Sequence, residues 1–406
     1  MRQILSRLNP FRSVSSCLMV ADCLNTIGNI FITTFLVAYF FKTVGQNVWA
    51  ISTYFVVYYA AILVLAIFTG RYIKEGKKIT LYRMGIILNF IALGIVMILK
   101  EKVVDWLCVS AILLGSAMAL KAFVWNLMVS ESISRNQMIA FRGFLNTIKG
   151  IVKIVVPVVL GYFLTVDSIF HTISFLLFLM FLELFLTLKF KISVPKRNVS
   201  FSIIRYAKKT YKNKIIKNLY LMEFFNGLSL IGALNAVVTL YIVYLFKTDF
   251  KLGIITAVFN FVALLTNFLF AKYGSYTRFS LLIWVSFLLS LCGTILFVLM
   301  PDKATFIFYN FCCASAIKIF DLTAEVNMFN TANIQAIRKR FKTEYFSMRE
   351  VFLNVGRITS FSVLLLLSVF FGFDGLKYFI LLLLCFWFAM GYNAFCLNRK
   401  LLKEDW

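Results

Sequence analysis

What most limits this chain is the repetition of apolar runs, each long enough to cross the hydrocarbon core of a bilayer. A crossing takes about 20 residues of helix, at a rise of about 1.5 Å each. Twelve such runs occur, near 15–41, 46–69, 80–99, 104–128, 139–165, 168–188, 218–246, 252–271, 279–300, 304–329, 344–371 and 375–397. Short polar breaks separate them, apart from one long basic stretch in the middle. A water-soluble fold would leave far too much of this surface in water, since 61% of the 406 residues are hydrophobic against about 45–50% in a soluble domain. The predicted class is an all-α integral membrane protein of twelve transmembrane helices. Arg2, Arg7 and Arg12 precede an apolar run that reaches Phe41, longer than the hydrophobic region of a signal peptide, so an uncleaved first helix is expected.

The chain carries 42 Lys+Arg against 17 Asp+Glu, a net charge of +25. Location decides what that charge means. With the N-terminus placed in the cytoplasm, the two tails and the even-numbered connections account for all of the +25. The six opposite connections sum to only about +1, which is the positive-inside pattern and predicts two cytoplasmic termini in a cell membrane. Topology therefore explains the basicity without nucleic acid, and the partners it implies are anionic lipid headgroups. In the central stretch Phe201, Ile204, Tyr211 and Ile215 stand among lysines. That pattern fits either an amphipathic helix on the membrane surface or an unstructured linker. The eight cysteines show neither Cys-x-x-Cys nor Cys/His spacing, so no metal site and no cofactor are expected.

Short stretches recur in the same order in both halves. Asp22-Cys-Leu-Asn25 in the first run is similar to Glu223-Phe-Phe-Asn226 in the seventh, and both runs end in Phe-Lys-Thr. Ala119-Leu-Lys-Ala-Phe123 in the fourth matches Ala316-Ile-Lys-Ile-Phe320 in the tenth. Phe144-Leu-Asn-Thr-Ile-Lys149 in the fifth matches Phe352-Leu-Asn-Val-Gly-Arg357 in the eleventh. Every match pairs run n with run n+6, which predicts two parallel six-helix bundles, 1–190 and 218–406, joined by a basic cytoplasmic linker at 191–217.

With this repeat the chain resembles the major facilitator superfamily over essentially its whole length. The resemblance implies a central cavity lined by the first, fourth, seventh and tenth runs, and rocking alternating access. The family's glycine-rich basic loop between the second and third helices has its counterpart in Gly70-Arg-Tyr-Ile-Lys74-Glu75-Gly76-Lys77-Lys78. Here the glycine spacing is one short, and Lys74 stands where the family carries an aspartate. The stretch Met348 to Arg357 is similar to that of Gram-positive bacterial members, which implies a bacterial source.

A charge at membrane depth costs from about 2.5 to more than 10 kcal/mol, so such residues face a cavity or a partner. The runs hold Asp22, Lys121, Lys149, Lys153, Glu183, Glu223, Lys318, Asp321, Glu325, Glu350 and Arg357. Arg142, Asn146, Lys149 and Lys153 share one helix stripe, and Glu350, Asn354 and Arg357 repeat the pattern. Cations beside amides suit an anionic group, so Lys121, Lys318, Lys149, Arg357, Asn146 and Asn354 are the expected substrate contacts, lining one cavity. The same cations can instead clamp helices through internal ion pairs, such as Lys318 with Asp321. Asp22, Glu223 and Asp321 are the candidates for proton coupling. Arg71, Lys77, Arg142, Arg349 and Glu350 are the candidates for gating, while Glu183 and Glu325 suit packing or gating. The lone His171 reads as a capping residue, and Trp49, Trp106 and Trp387 as interfacial or lipid-facing packing.

The expected function is a secondary transporter, not an enzyme. It would export a small anionic or amphiphilic solute by proton-coupled antiport, as a monomer. A lipid flippase on the same fold is the alternative, with a small molecule or a lipid as substrate and a proton or other ion as partner. No Walker motif points to ATP. A membrane-embedded enzyme would need a reactive constellation such as His-Glu-x-x-His, and none is present.

Overall fold

The computed structural model of the chain describes residues 14–132, 135–166, 169–189, 201–229, 233–273, 278–332 and 341–404. Those residues are helical apart from short turns, with no strand among them. The first helix, α1, runs Val14–Ile30, passes through a π-helical turn at Phe31–Phe35 and continues as Leu36–Thr43. Then come α2 (Val48–Lys74), α3 (Lys78–Leu99), α4 (Leu107–Ser132), α5 (Arg135–Val166) and α6 (Ile169–Leu186). A short helix, α7 (Ile203–Thr210), precedes α8 (Lys214–Ser229) and α9 (Ala233–Phe246), which share the seventh apolar run. The chain ends with α10 (Asp249–Tyr273), α11 (Phe279–Leu299), α12 (Lys303–Ala332), α13 (Lys342–Phe371) and α14 (Gly375–Glu404).

Ten stretches of the described residues are long and apolar enough to cross a membrane. Two of them, Lys78–Val129 and Thr343–Lys400, are 52 and 58 residues long, about twice what a bilayer requires. Each holds two helices that meet at a 3-10 turn, Lys100–Trp106 in one and Gly372–Asp374 in the other. The backbone reverses there through positive φ, 49° at Lys100 and 57° at Gly372. Glycine adopts that region without a Cβ penalty, whereas lysine does so only as an exception.

Helix packing follows a repeated plan. In the first half α2 packs on α4, α3 on α4 and α6, and α1 on α5 and α6. In the second half α10 packs on α12, α11 on α12 and α14, and α8 on α13 and α14. Two long interfaces join the halves, α2 against α13 and α5 against α10. The α5–α10 contact depends on small residues. A Cβ on Gly253 would lie 2.2 Å from the Pro157 carbonyl oxygen, and one on Gly161 would lie 2.7 Å from that of Asp249. Close backbone approach of this kind is how helices associate where lipid removes the usual hydrophobic drive.

Charged contacts tie the halves at both ends of the bundle. At the end where α1 meets α2, Lys42 Nζ donates to both carboxylate oxygens of Asp249, at 2.7 and 2.8 Å. At the other end the Lys74 ammonium pairs with the buried Glu344 carboxylate, which also accepts from the Ser202 backbone N–H at 3.3 Å. Phe201 lies against Gly70 beside them. The segment expected to be amphipathic forms only the short α7. Its Ile204 and Tyr211 are exposed, but Phe201 and Ile215 pack inward, because they serve the helix joints instead. Tyr206 is buried, its hydroxyl 2.5 Å from that of Tyr220, and burial pushes its ionisation up to about 12.

Candidate functional site

The site starts from a proline. Pro157 lies inside α5 and has no N–H, so the carbonyl of Lys153, four residues earlier, has no helical donor. Asn260 of α10 supplies one: its Nδ2 donates to the Lys153 oxygen at 2.9 Å, and also to that of Thr256 at 2.9 Å. A backbone group at membrane depth is satisfied inside the protein, and here the satisfaction comes from the opposite half. The bond pins α5 to α10 at the residue whose ammonium enters the cavity.

That cavity has two adjoining compartments. The polar one, of about 320 Å³, lies among α5, α9, α10 and α12 and is walled by Asn146, Lys149, Lys153, Asn235, Asn260, Asn267, Lys318 and Asp321. The aromatic one, of about 310 Å³, is walled by Asn29, Thr33, Tyr54, Tyr58, Tyr59, Met118 and Arg357, among others. Lys149, Lys153 and Asn235 face both. The π-helical turn of α1 lies at the aromatic wall, where it places Ile32 and Thr33. Insertions of that type are frequent at functional sites.

Most of the predicted residues have a definite place. Lys149 Nζ meets Asp22 Oδ2 at 3.0 Å, with the lysine side chain 28% exposed and the acid 5%. Among the described residues, the ammonium groups of Lys153 and Lys318 meet no hydrogen-bond or ion-pair partner. Arg357 lies over the Tyr59 ring at 5.0 Å and donates to Asn354 Oδ1 at 3.2 Å, while its buried Nε has no partner. Asn354 donates in turn to the Glu350 backbone and carboxylate, at 2.8 and 3.4 Å. Glu223 accepts a fork from Arg349, at 2.7 and 3.3 Å, and Arg349 also reaches Glu350 at 3.1 Å.

Several placements differ from expectation. Lys121 does not join Lys318 in the cavity. It is 2% exposed and bonds Glu183 Oε2 at 2.9 Å, while Tyr82 donates to the other oxygen at 2.7 Å. The first half has an acid in its sixth run to seal that lysine, whereas the twelfth run, 375–397, has none for Lys318. Arg71 and Lys77 pair locally with Glu75, at 3.4 and 3.3 Å, so the contact between halves at that end falls to Lys74. The side chains of Arg142 and Glu325 lie outside the described residues. Sequence reasoning missed Asn235, Asn260, Asn267 and the Tyr54–Tyr58–Tyr59 wall. Their signal was faint: isolated amides in apolar runs, and tyrosines one helical turn apart.

The arrangement defines a class: a helical membrane protein whose two halves enclose a polar, cation-rich cavity at membrane depth. Residues 17–361 match the sequence model of the Major Facilitator Superfamily, and the chain belongs to that family, whose members are transporters rather than enzymes. No curated protein matches it. Among solved structures it is similar in fold to a bacterial homologue of the iron transporter ferroportin in its inward-facing state. That match has a TM-score of 0.69 at 13% identity and covers 95% of this chain and 98% of the other. It is also similar to the nucleoside transporter NupG, with TM-score 0.68, 12% identity and coverage of 94% and 98%. A bacterial metal transporter gives TM-score 0.62 at 12% identity, covering 94% and 98%.

Proposed function

We propose that this protein is a secondary active transporter that moves a small anionic solute by alternating access, coupled to protons. The observation that carries the reading is the meeting of Lys149, Lys153, Lys318 and Arg357, from both halves, on one cavity. Two of those cations are unpaired among the described residues, and several amides stand beside them. An unpaired cation at membrane depth is costly, and an anion that offsets the cost is bound in proportion. Amides fix the orientation of such a group.

Twelve crossings in two six-helix repeats support rocking of one half against the other. The long stretches divide at their 3-10 turns, α8 and α9 share one crossing, and the packing plan of the first half recurs in the second with each helix shifted by six crossings. The same shift exchanges the α2–α13 and α5–α10 interfaces. Loop charge supports cytoplasmic termini in a cell membrane, with anionic headgroups facing α7. Proton coupling is assigned to Asp22, which touches the cavity cation Lys149, with Glu223 as its counterpart in the second half.

Flux of organic anions into proteoliposomes, read with a luminal pH indicator, tests this reading and also gives the direction of transport. The expected result is anion-dependent proton movement that disappears in Lys153→Gln/Lys318→Gln and in Asp22→Asn. Unchanged flux in the double lysine variant would place the substrate elsewhere, and unchanged proton movement in Asp22→Asn would move the coupling to another acid.

A further inference from the structure

The two compartments differ in chemistry, and the difference narrows the ligand. On the aromatic side the rings form two stacked sets that stand nearly at right angles, with Tyr58 at 87° to Tyr59 and Tyr54 at 78° to Phe55. Phe55 and Tyr59 lie 6.1 Å apart at 19°, Phe55 and Phe361 4.4 Å apart at 21°, and Tyr54 and Tyr58 6.1 Å apart at 24°. Tyr54, Phe55, Tyr58 and Tyr59 all wall that compartment, beside the Arg357 guanidinium that already stacks on Tyr59. The polar side carries amides, the Asp321 carboxylate and the Lys318 ammonium, which has no hydrogen-bond or ion-pair partner among the described residues. Lys149, Lys153 and Asn235 stand at the boundary and face both.

From this juxtaposition we infer that the solute is an aromatic acid. Its carboxylate or phosphate lies at the boundary, between Lys153 and Lys149, and its planar ring fills the tyrosine-lined compartment. A small inorganic anion would satisfy the lysines and leave about 310 Å³ of aromatic wall uncovered. An uncharged ring would do the reverse, leaving three lysines, Lys149, Lys153 and Lys318, with only Asp22 and Asp321 to balance them and the guanidinium of Arg357. Ring against ring is favourable in stacked and edge-on geometries, and a guanidinium over a ring adds electrostatic attraction. The inference rests on the anion reading above and adds the ring to it.

Ligand-dependent thermal stabilisation of the purified full chain, with 1-naphthyl phosphate, n-hexyl phosphate and inorganic phosphate as probes, separates the two claims. Naphthyl phosphate is expected to bind at least tenfold more tightly than either of the others. Lys153→Gln should weaken the binding of all three, while Tyr58→Leu should weaken only that of naphthyl phosphate. Naphthyl emission, which moves to shorter wavelength when the ring leaves water, keeps the test open if Tyr58→Leu lowers the stability of the unliganded protein. Equal binding of the three phosphates overturns the aromatic assignment and leaves the anion reading standing. Binding of naphthyl phosphate that survives Lys153→Gln/Lys318→Gln overturns the anion reading, and no stabilisation by any probe overturns both.

Discussion

Two ion pairs occupy matching places in the two halves and differ in kind. In the first half, Asp22 of α1 meets Lys149 of α5; in the second half, Glu223 of α8 meets Arg349 of α13. Both acids are almost fully buried. Their cations are not alike. Lys149 makes one contact at 3.0 Å, is 28% exposed and faces both compartments of the cavity. Arg349 forks onto both oxygens of Glu223, touches Glu350, and does not line the cavity. A guanidinium fork fixes geometry, while an ammonium on a flexible stem can leave its partner. The two matched acids, Asp22 and Glu223, thus meet a cavity cation in one case and a clamp in the other. Sequence similarity between halves locates such positions without saying which is which.

The sharpest way to break this comparison is to remove the fork. Arg349→Gln leaves Glu223 buried without a counter-charge and should cost about 3–5 kcal/mol, read by unfolding in mixed detergent micelles. Arg349→Lys should recover only part of that. If Lys149→Gln destabilises the protein as much, the two pairs are equivalent and the contrast is lost.

Lys149→Gln is expected instead to act on the ligand. A hydrogen bond to a charged group contributes about 1.5–3 kcal/mol, so the affinity for a bound anion should fall at least tenfold in a direct binding measurement. Stability should fall by less than in Arg349→Gln, since Lys149 is 28% exposed and meets Asp22 through one bond rather than a fork.

Asn260→Leu probes the bond that supports the site from the other half. It returns the Lys153 carbonyl to an unsatisfied state, at a cost of about 1–3 kcal/mol. Adding Pro157→Ala restores the helical N–H, so the double variant should recover stability that the single variant lost. No recovery would mean that Asn260 acts through packing rather than through that hydrogen bond.

The smallest effect should come from Lys42→Gln. The lysine and Asp249 are 34% and 25% exposed, and a screened pair of this kind contributes about 0.2–1 kcal/mol. Its removal should be detectable at low salt and should fade at high salt. A salt-independent loss would make this end contact a buried clamp like that of Arg349.

Much of the fold was legible in the residues themselves. Length and apolarity mark the crossings, because lipid demands both of a spanning helix, and the breaks at Gly372 and at 100–106 fall between runs that were already separate. The matches around Asp22, Lys121 and Lys149 are the sequence ground for the proposed repeat. Register was less secure: Lys149 aligns with Arg357 by sequence, yet the second-half residue that does the corresponding job is Arg349, two turns earlier. A short match fixes neither the turn of a helix nor the face that a side chain presents.

The sequence by itself determined that this chain is a helical membrane protein of the Major Facilitator Superfamily and which rare charges must find partners at membrane depth. These follow from one-dimensional quantities: run length, loop charge and repeat order. Only the tertiary structure decided which partner each charge found. Lys121 is neutralised because α6 happens to face it with Glu183, whereas Lys318 lines the polar compartment together with Asp321. Asn260, distant from Lys153 in the chain, becomes part of the site because Pro157 left a carbonyl that only the opposite half could satisfy. Pairing at membrane depth depends on distance and direction between helices, and neither is written in any single helix.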